Sequence, residues 1–345
     1  MPLHNPTYPT TSLLTTQRPG GLKELLPGIG RVAEGGLRTK GLFKSSTVEK
    51  PLISIIVVVL NRAHCFESCI QSILGQSYDN VEFIVIDGGS SDGTLDLLHK
   101  YSDKIDYWVS EPDQGLYYAM NKAVEIASGD WFNFIGSDDV LLNCLTTVAA
   151  QLQNNQAIYY GEVYGAGKKR TYNGPFKARQ LYSRGLHQQG MFYPRSVFST
   201  RSYNVTYSIA ADWDLNLRCY IEGSYQFIYF QCLVAIYNDI DGLSSKEIRN
   251  TMREWRSITR NRLGLMSIFF TARWSFMNLL EILNIRNPLK RLFSKWLESG
   301  RDQENLLVAR RLIEQGMPVE EAAGVVGLSL NEVRTVVGGQ KKCGV

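Results

Sequence analysis

The sequence predicts an α/β fold, in which a mainly parallel sheet is flanked by helices and followed by a C-terminal helical extension. Short apolar runs rich in β-branched residues recur along the chain, as expected for strands covered on both faces. Segments with helical spacing lie between these runs, and this alternation predicts parallel strands joined by right-handed crossovers. The 345 residues, 44% of them hydrophobic and 20% charged, are enough for one large core.

Strands and helices alternate from residue 51 onward. The predicted strands are Ile53–Leu60, Glu82–Asp87, Ile105–Ser110, Trp131–Ile135 and Ile158–Val163. The predicted helices between or after them are Phe66–Leu74, Thr94–Tyr101, Tyr117–Ala127 and Val140–Leu152. Residues 165–245 are less regular, and we expect loops there with one helix at Asp212–Glu222.

Changes of composition divide the chain into four segments. Residues 1–50 are rich in Gly, Thr and Pro and predict a flexible N-terminal extension. Residues 51–245 form the predicted α/β domain. Residues 246–300 are a basic amphipathic helical segment, and residues 301–345 are a small helical tail.

The spacing of the cysteines and the hydropathy of the sequence indicate the cellular compartment in which the protein works. The six cysteines show neither a disulfide framework nor a CxxC pair, which favours a reducing, cytoplasmic location. We find no signal peptide, and no apolar run is long enough to cross a membrane.

Charge distribution indicates partners better than net charge does. The net charge of +4 is too small to imply nucleic acid, and the supposed recognition helix of the tail, Leu330–Val336, offers only Arg334. The tail is more simply an oligomerisation or partner-docking module, and the first of these roles would make a homo-oligomer through residues 301–345. Between Lys246 and Glu298, eleven Lys and Arg stand against four acids, interleaved with aromatic residues. This segment predicts peripheral contact with the inner face of the cell membrane, although a helical cap over the sheet explains it equally well.

Unusual polar residues follow three of the predicted strands. Asn61 follows the first strand, Asp87 the second, and the adjacent Asp138 and Asp139 the fourth. Ligands of parallel sheets bind beyond the carboxyl ends of the strands. Asp87, beside two glycines, could read a nucleobase N–H or cap the next helix. The acid pair could hold a divalent cation, Mg²⁺ or Mn²⁺, or simply begin a helix.

The segments Pro51–Asn61, Asp87–Thr94, Gln114–Asn121 and Ser137–Asp139 resemble the family 2 inverting glycosyltransferases. The resemblance covers residues 51–240 and is nearest to bacterial members of the colanic-acid, capsule or lipopolysaccharide type. It implies a glycosyltransferase A-type fold that binds a nucleotide-diphospho-sugar. It also implies that Asp139 ligates the metal, with Ser137 replacing the first acid of the usual Asp-x-Asp. The nucleotide-sugar contacts that it implies are Asn61, Asp87, Asp113, Gln114, Tyr117, Asn121, Asp138 and His187.

The resemblance also implies a general base in an acidic stretch that opens a later helix. Here the stretch has Ala211-Asp212 where relatives often have Glu-Asp, so Asp212 is the favoured base and Asp214 the second candidate. Capping of the helix is the alternative role for Asp212. Arg218, one turn beyond Asp214, could hold that carboxylate or a phosphate.

The predicted function is therefore an inverting glycosyltransferase. It would move a sugar from a nucleotide-diphosphate donor to a hydroxyl of a saccharide or lipid-linked acceptor in cell-surface polysaccharide synthesis. The alternative is a regulatory protein that binds a nucleotide sugar or a nucleic acid without transferring sugar.

Overall fold

The structure, a computed structural model, describes residues 14–20, 22–23, 30–175, 181–182, 185–240, 248–264 and 304–338. Its strands are β1 (Ala33–Gly35), β2 (Ile53–Val59), β3 (Val81–Asp87), β4 (Tyr107–Ser110), β5 (Trp131–Gly136), β6 (Val140–Leu141), β7 (Ala157–Gly165), β8 (Arg170–Tyr172), β9 (Met191–Pro194) and β10 (Gln226–Tyr237). Its helices are α1 (Ala63–Leu74), α2 (Thr94–Lys100), α3 (Leu116–Ile126), α4 (Leu145–Ala149), α5 (Arg195–Thr200), α6 (Ala211–Ile221), α7 (Ile248–Leu263), α8 (304–314), α9 (Val319–Val326) and α10 (Leu330–Gly338).

One mixed sheet contains all of these strands. Its order is β1-β4-β3-β2-β5-β9-β7-β10-β6, with β8 paired to β7. The four strands β4, β3, β2 and β5 are parallel neighbours, which confirms the predicted parallel α/β sheet. Antiparallel pairing with β9 then joins this half to the parallel pair of β7 and β10.

Both faces of the sheet are buried. Successive side chains of β2 point to opposite sides of the sheet and pack in two different apolar cores. Ile55 and Val57 pack in a core with Phe66 of α1. Ile56 packs in the other core, with Ala119 of α3. A continuous run of β-branched residues is therefore the expected sequence for this strand.

Two predictions about the second half of the sheet are wrong. Val140–Leu152 was expected to be one helix, but Val140–Leu141 pairs with β10 and the helix α4 is confined to Leu145–Ala149. Residues 165–245 were expected to be mostly loops, yet they include β9 and the long strand β10. Register shifts in β10 near Leu233 interrupt the alternation that would mark a regular strand.

The prediction of a flexible extension through residue 50 is also wrong for residues 30–44. Strand β1 pairs antiparallel with β4 at one edge of the sheet. Arg38 contacts Glu82 of β3, and Lys44 donates to Asp106 at 2.9 Å, with both side chains of this second pair 1% exposed. These residues are therefore an integral edge of the domain.

The C-terminal helices α8, α9 and α10 pack on the opposite end of the sheet. A separate apolar cluster joins Val308 and Leu312 of α8 to Tyr164 of β7 and Leu233 of β10. Arg311 also pairs with Glu162 of β7. The tail is thus docked on its own chain, and its role in oligomerisation stays a prediction. No helix in the described part of the chain is long and apolar enough to cross a membrane.

Candidate active site

The parallel strands end in register, which brings the loops after them to one edge of the sheet. Val59 of β2 lies opposite Asp87 of β3, and Asp87 lies opposite Ser110 of β4. Val58 lies opposite Gly136 at the end of β5. The polar residues that follow these strands therefore surround a common space.

A cavity of about 520 Å³ opens at this edge. Its walls come from the loops after β2, β3 and β5, from α3, from residues 185–189, and from the beginning of α6. Helix α7 closes one side with Thr251 and Trp255. Six of the residues predicted to form the site line the cavity: Asp113, Tyr117, Asp138, Asp139, His187 and Asp212.

Asp138 and Asp139 lie directly after β5, on one wall of the cavity. Asp139 is 1% exposed and accepts hydrogen bonds from Gln189 Nε2 at 2.9 Å, from the backbone N–H of Asn238 at 2.9 Å and from that of Gly136 at 3.2 Å. The side-chain amide of Asn238 donates to Asp138 at 3.3 Å. The loop after β10 thus holds both carboxylates.

The chemistry of this acid pair fits a divalent cation. Burial, with the charge of Asp138 beside it, raises the pKa of Asp139 to about 7. The hydrogen-bond donors to Asp139 are uncharged amides, which compensate its charge only in part. No group of three or more potential ligand side chains is found among the described residues. One or two protein carboxylates suffice where substrate phosphates complete the coordination of Mg²⁺.

Asp212 lies in the first turn of α6, on another wall of the same cavity. Burial raises the pKa of Asp212 to about 6. The hydroxyl of Tyr117 lies 3.0 Å from Asp212 Oδ1 and 2.7 Å from the carbonyl oxygen of Ile209, so its one proton is shared between two acceptors. A partly buried carboxyl with a pKa near neutrality suits proton abstraction.

Asp214 does not face the cavity, and the structure contradicts its selection as the second candidate base. Its side chain is fully buried and accepts two hydrogen bonds from Arg262 of α7, at 2.7 and 3.1 Å. Arg218 lies 3.1 Å from the same carboxylate, as the spacing of one helical turn suggested. Asp214 therefore joins α6 to α7.

Asp113 faces the cavity beside the beginning of α3. Lys122 donates to its Oδ1 at 2.6 Å, whereas its Oδ2 is buried and accepts no hydrogen bond within the described part of the chain. Burial raises the pKa of Asp113 above its ordinary value. Lys122 also donates to Glu111 at 2.6 Å, and Glu111 accepts from Arg31 of the N-terminal segment at 2.8 Å.

Asp87 and Asn61 build the loops instead of lining the cavity. The two oxygens of Asp87 accept from the backbone N–H of Ser90, from its hydroxyl at 2.5 Å, and from the hydroxyl of Ser110 at 2.6 Å. Asn61 adopts a left-handed conformation with φ 52°, and its Oδ1 accepts from the N–H of Ser91 at 2.9 Å. Gly88 is the residue of this turn that lines the cavity, so direct contact of Asp87 with a nucleobase is not supported.

Two further predicted contacts lie elsewhere. Gln114 is exposed and outside the cavity lining. Asn121 exchanges two hydrogen bonds of 2.9 Å with the backbone of Tyr203 and so fixes α3 to the loop before α6. His187 does line the cavity, where its ring packs against Tyr172 at 4.2 Å and Tyr237 at 5.1 Å between centroids.

Sequence reasoning missed the contribution of α7 to this site. Glu254 accepts hydrogen bonds from the N–H groups of Ser208, Ile209 and Ala210, at 2.6, 3.0 and 3.0 Å. These residues directly precede α6. Trp255 packs on Trp213 with ring centroids 4.6 Å apart. The composition of residues 246–298 allowed a helical cap over the sheet, but it did not indicate which residues make these inward contacts.

Comparison with known proteins identifies the class. The model of the family described as glycosyl transferase family 2 matches residues 54–209. A PGL/p-HBAD biosynthesis glycosyltransferase of Mycobacterium tuberculosis is 34% identical over 234 residues, covering 65% of this chain and 91% of the relative. An uncharacterized glycosyltransferase of the same organism is 30% identical over 179 residues, covering 49% of this chain and 68% of the relative. The chain belongs to glycosyl transferase family 2 and is a glycosyltransferase.

Two solved structures superpose on the chain with TM-scores of 0.47. The alignment with S. aureus TarS 1–349 in complex with UDP-GlcNAc covers 84% of this chain and 92% of the TarS chain, with a TM-score of 0.47 and 16% identity. The second structure is glucosyl-3-phosphoglycerate synthase from Mycobacterium tuberculosis in complex with Mn²⁺, UDP and phosphoglyceric acid. Its alignment covers 62% of this chain and 79% of the synthase chain, with a TM-score of 0.47 and 20% identity. Superpositions of this quality carry no comparison of individual residues.

Proposed function

We propose that this glycosyltransferase moves a sugar from a nucleotide-diphosphate donor to a hydroxyl of a saccharide or lipid-linked acceptor, with inversion at the anomeric carbon. One observation carries the proposal: the acid pair Asp138–Asp139 and the partly buried carboxyl of Asp212 line the same cavity. Such a cavity offers carboxylates that could hold a cation-bound diphosphate and, separately from them, a proton acceptor.

In the proposed reaction, Asp212 takes the proton from the acceptor hydroxyl as the oxygen attacks the anomeric carbon. The bond between that carbon and the diphosphate oxygen breaks, and its electron pair leaves with the nucleotide diphosphate. Asp139, with Asp138 beside it, would hold Mg²⁺ or Mn²⁺, which would supply positive charge to the leaving diphosphate. Asp113 offers its Oδ2, which lacks a protein donor among the described residues, to a hydroxyl of the donor.

The biological role that we propose is synthesis of a cell-surface polysaccharide. The relative that is 34% identical is named for a biosynthetic process, which supports a synthetic role. We further propose that the protein works at the inner face of the cell membrane, in contact with an anionic lipid surface. The exposed arginines 253, 256 and 260 of α7 support this location, because their spacing places them on one helix face.

Replacement of the proposed base tests the mechanism. Asp212→Asn is expected to lower transfer by about 10²-fold or more, because the acceptor hydroxyl loses its proton acceptor. Release of nucleotide diphosphate from a panel of nucleotide sugars measures turnover, and thermal shift with the free nucleotide diphosphates measures binding. Binding is expected to survive. Asp96→Asn, at an exposed carboxylate in the first turn of α2, is the matched control. Unchanged turnover in Asp212→Asn would remove this mechanism, and binding without turnover in the wild type would favour a regulatory protein.

Replacement of the proposed metal ligand tests the cation. We expect Mn²⁺ to increase the thermal stabilisation by nucleotide diphosphate in the wild type, because ion and diphosphate bind together. Asp139→Asn should lose this Mn²⁺-dependent increment while it keeps its own melting transition. An increment of equal size in Asp139→Asn would exclude this residue as a ligand.

A further inference from the structure

The wall that α7 adds to the cavity lies outside the residues that the family model matches, which are 54–209. Thr251 and Trp255 of this helix line the cavity together with the family's own loops. Because the wall comes from a different part of the chain, it can vary independently of the donor-binding loops. A variable wall beside a shared donor site is where acceptor selection is expected.

Contacts at several points hold this wall in place. Glu254 accepts hydrogen bonds from the hydroxyl of Ser208, at 2.7 Å, and from the three N–H groups before α6. Arg262 binds Asp214 of α6 with two hydrogen bonds. Trp255 packs on Trp213 at an interplanar angle of 31°. The indole of Trp255 therefore has a defined position relative to α6.

This position is next to the proposed base. Trp213 follows Asp212 in α6, and its Nε1 donates to the carbonyl oxygen of Leu181 at 2.6 Å, which fixes its ring. Trp255 is only partly buried and presents its indole to the cavity. The diphosphate would take the side of Asp138 and Asp139. Trp255 and Asp212 line the same cavity, so an acceptor whose hydroxyl reaches Asp212 can lie along the wall formed by Trp255.

The chemistry of the wall selects the kind of acceptor. An indole face is flat and apolar, and Asp212 and Thr251, which carry side-chain oxygens, line the same cavity as Trp255. Four acids line the cavity, namely Asp113, Asp138, Asp139 and Asp212, against one arginine, Arg62, among the described lining residues. A bound cation would offset the charges of Asp138 and Asp139, so it is the carboxylate of Asp212 that disfavours a negatively charged acceptor beside it. A neutral pyranose has the complementary form, because one face exposes C–H groups and its edge carries hydroxyls.

We propose that Trp255, with Thr251, forms the acceptor subsite, and that the subsite takes a neutral pyranose ring stacked on the indole. This inference rests on the proposed function and names the acceptor class for the same site. Stacking is the main attraction and the hydroxyl edge of the sugar faces Asp212.

Kinetics with a panel of methyl pyranosides as acceptors test the subsite. In Trp255→Leu the acceptor KM is expected to rise by about tenfold or more, corresponding to the loss of one stacking contact. Trp255→Phe should give a smaller rise. The donor KM should not change, because the residues proposed to bind the diphosphate are untouched. Tyr118→Leu removes an exposed aromatic residue of α3 outside the cavity lining and is the matched control.

The outcomes separate this proposal from the one on which it rests. If the wild type releases no nucleotide diphosphate from any nucleotide sugar, the proposed function itself fails. If it does so but transfers to no methyl pyranoside, or if Trp255→Leu keeps the wild-type acceptor KM, the subsite alone is overturned. Should Trp255→Leu not fold, saturation-transfer NMR of the wild type decides. Transfer concentrated on the ring protons of one pyranose face supports the proposal, and even or absent transfer overturns it.

Discussion

Asp212 combines a partly buried carboxyl with hydrogen bonds from neutral groups. Burial is the largest influence on its pKa and raises it, while the backbone N–H of Trp213 and the hydroxyl of Tyr117 lower it. The balance lies near pH 6, so the carboxyl is ionised at neutral pH and still basic enough to accept a proton. Tyr117 thus adjusts the base without taking part in the displacement.

The pH dependence of turnover follows from this balance. A general base must be deprotonated, so kcat/KM should rise with pH through about 6 and level off above it. Tyr117→Phe removes a donor that stabilises the charged carboxylate, so its rising limb should move to higher pH. Measurement of kcat/KM between about pH 4.5 and 8 checks both curves. An unchanged limb in Tyr117→Phe, or one moved to lower pH, would show that Tyr117 does not donate to Asp212.

At the residue scale, the sequence predicted the acids that line the cavity and misplaced those that build its loops. Asp138, Asp139 and Asp212 lie where the motifs suggested. Asp87 shares the strand parity of Val85, which packs in the core on the α1 side of the sheet. That parity was available from the sequence. The hydrogen bonds that Ser90 and Ser110 donate to the two Asp87 oxygens could not be predicted from the sequence. They depend on the conformation of the turn and on a neighbouring strand.

At the scale of elements, α7 has two faces with different chemistry. Its inner face contributes Glu254, Trp255 and Arg262 to the region around α6. Its outer face carries the exposed arginines. The two interpretations of the basic segment, a cap on the sheet and a membrane-facing helix, are therefore compatible. The cap is present in the fold, and residues 246–247 and 265–300 of the segment lie outside the described residues.

Membrane contact through the outer face can be tested without touching the inner one. Replacement of Arg253, Arg256 and Arg260 by Gln should weaken binding to vesicles of phosphatidylglycerol and phosphatidylcholine by about 10²-fold, because each basic residue near an anionic surface contributes about 1 kcal/mol. Co-sedimentation at low salt measures the binding. The control variant replaces Lys40, Lys50 and Lys100, which are exposed elsewhere. Equal losses in the two variants, or no sedimentation of the wild type at low salt, would refute a docking face on α7.

At the scale of the whole molecule, the parallel half of the sheet was predictable and its edges were not. Local apolar runs specify β2, β3 and β5, because each is covered on both faces. Strand β1 has only three residues, and ion pairs distant in the sequence fix the segment that follows it. Arg38 and Glu82 are separated by 44 positions, and Lys44 and Asp106 by 62. Composition alone therefore made this segment resemble a flexible extension.

The same ion pairs predict that the N-terminal segment is needed for stability. Lys44 and Asp106 are each 1% exposed, and burial keeps the pKa of Asp106 above its ordinary value even with Lys44 beside it. Lys44→Met leaves this carboxyl buried without its cation, which should lower the free energy of unfolding by about 3–5 kcal/mol. Urea unfolding at neutral pH measures the change.

An exposed ion pair from the same segment provides the control. Lys40 pairs with Asp103 where the two side chains are 51% and 78% exposed, so Lys40→Met should change stability by less than about 1 kcal/mol. The deficit of Lys44→Met should also grow as the pH rises, because at low pH the unpaired carboxyl of Asp106 can bind a proton and is then buried uncharged. Equal effects of the two substitutions, or a deficit that shrinks with rising pH, would mean that residues 30–44 only cover the sheet edge and do not stabilise it through the buried pair.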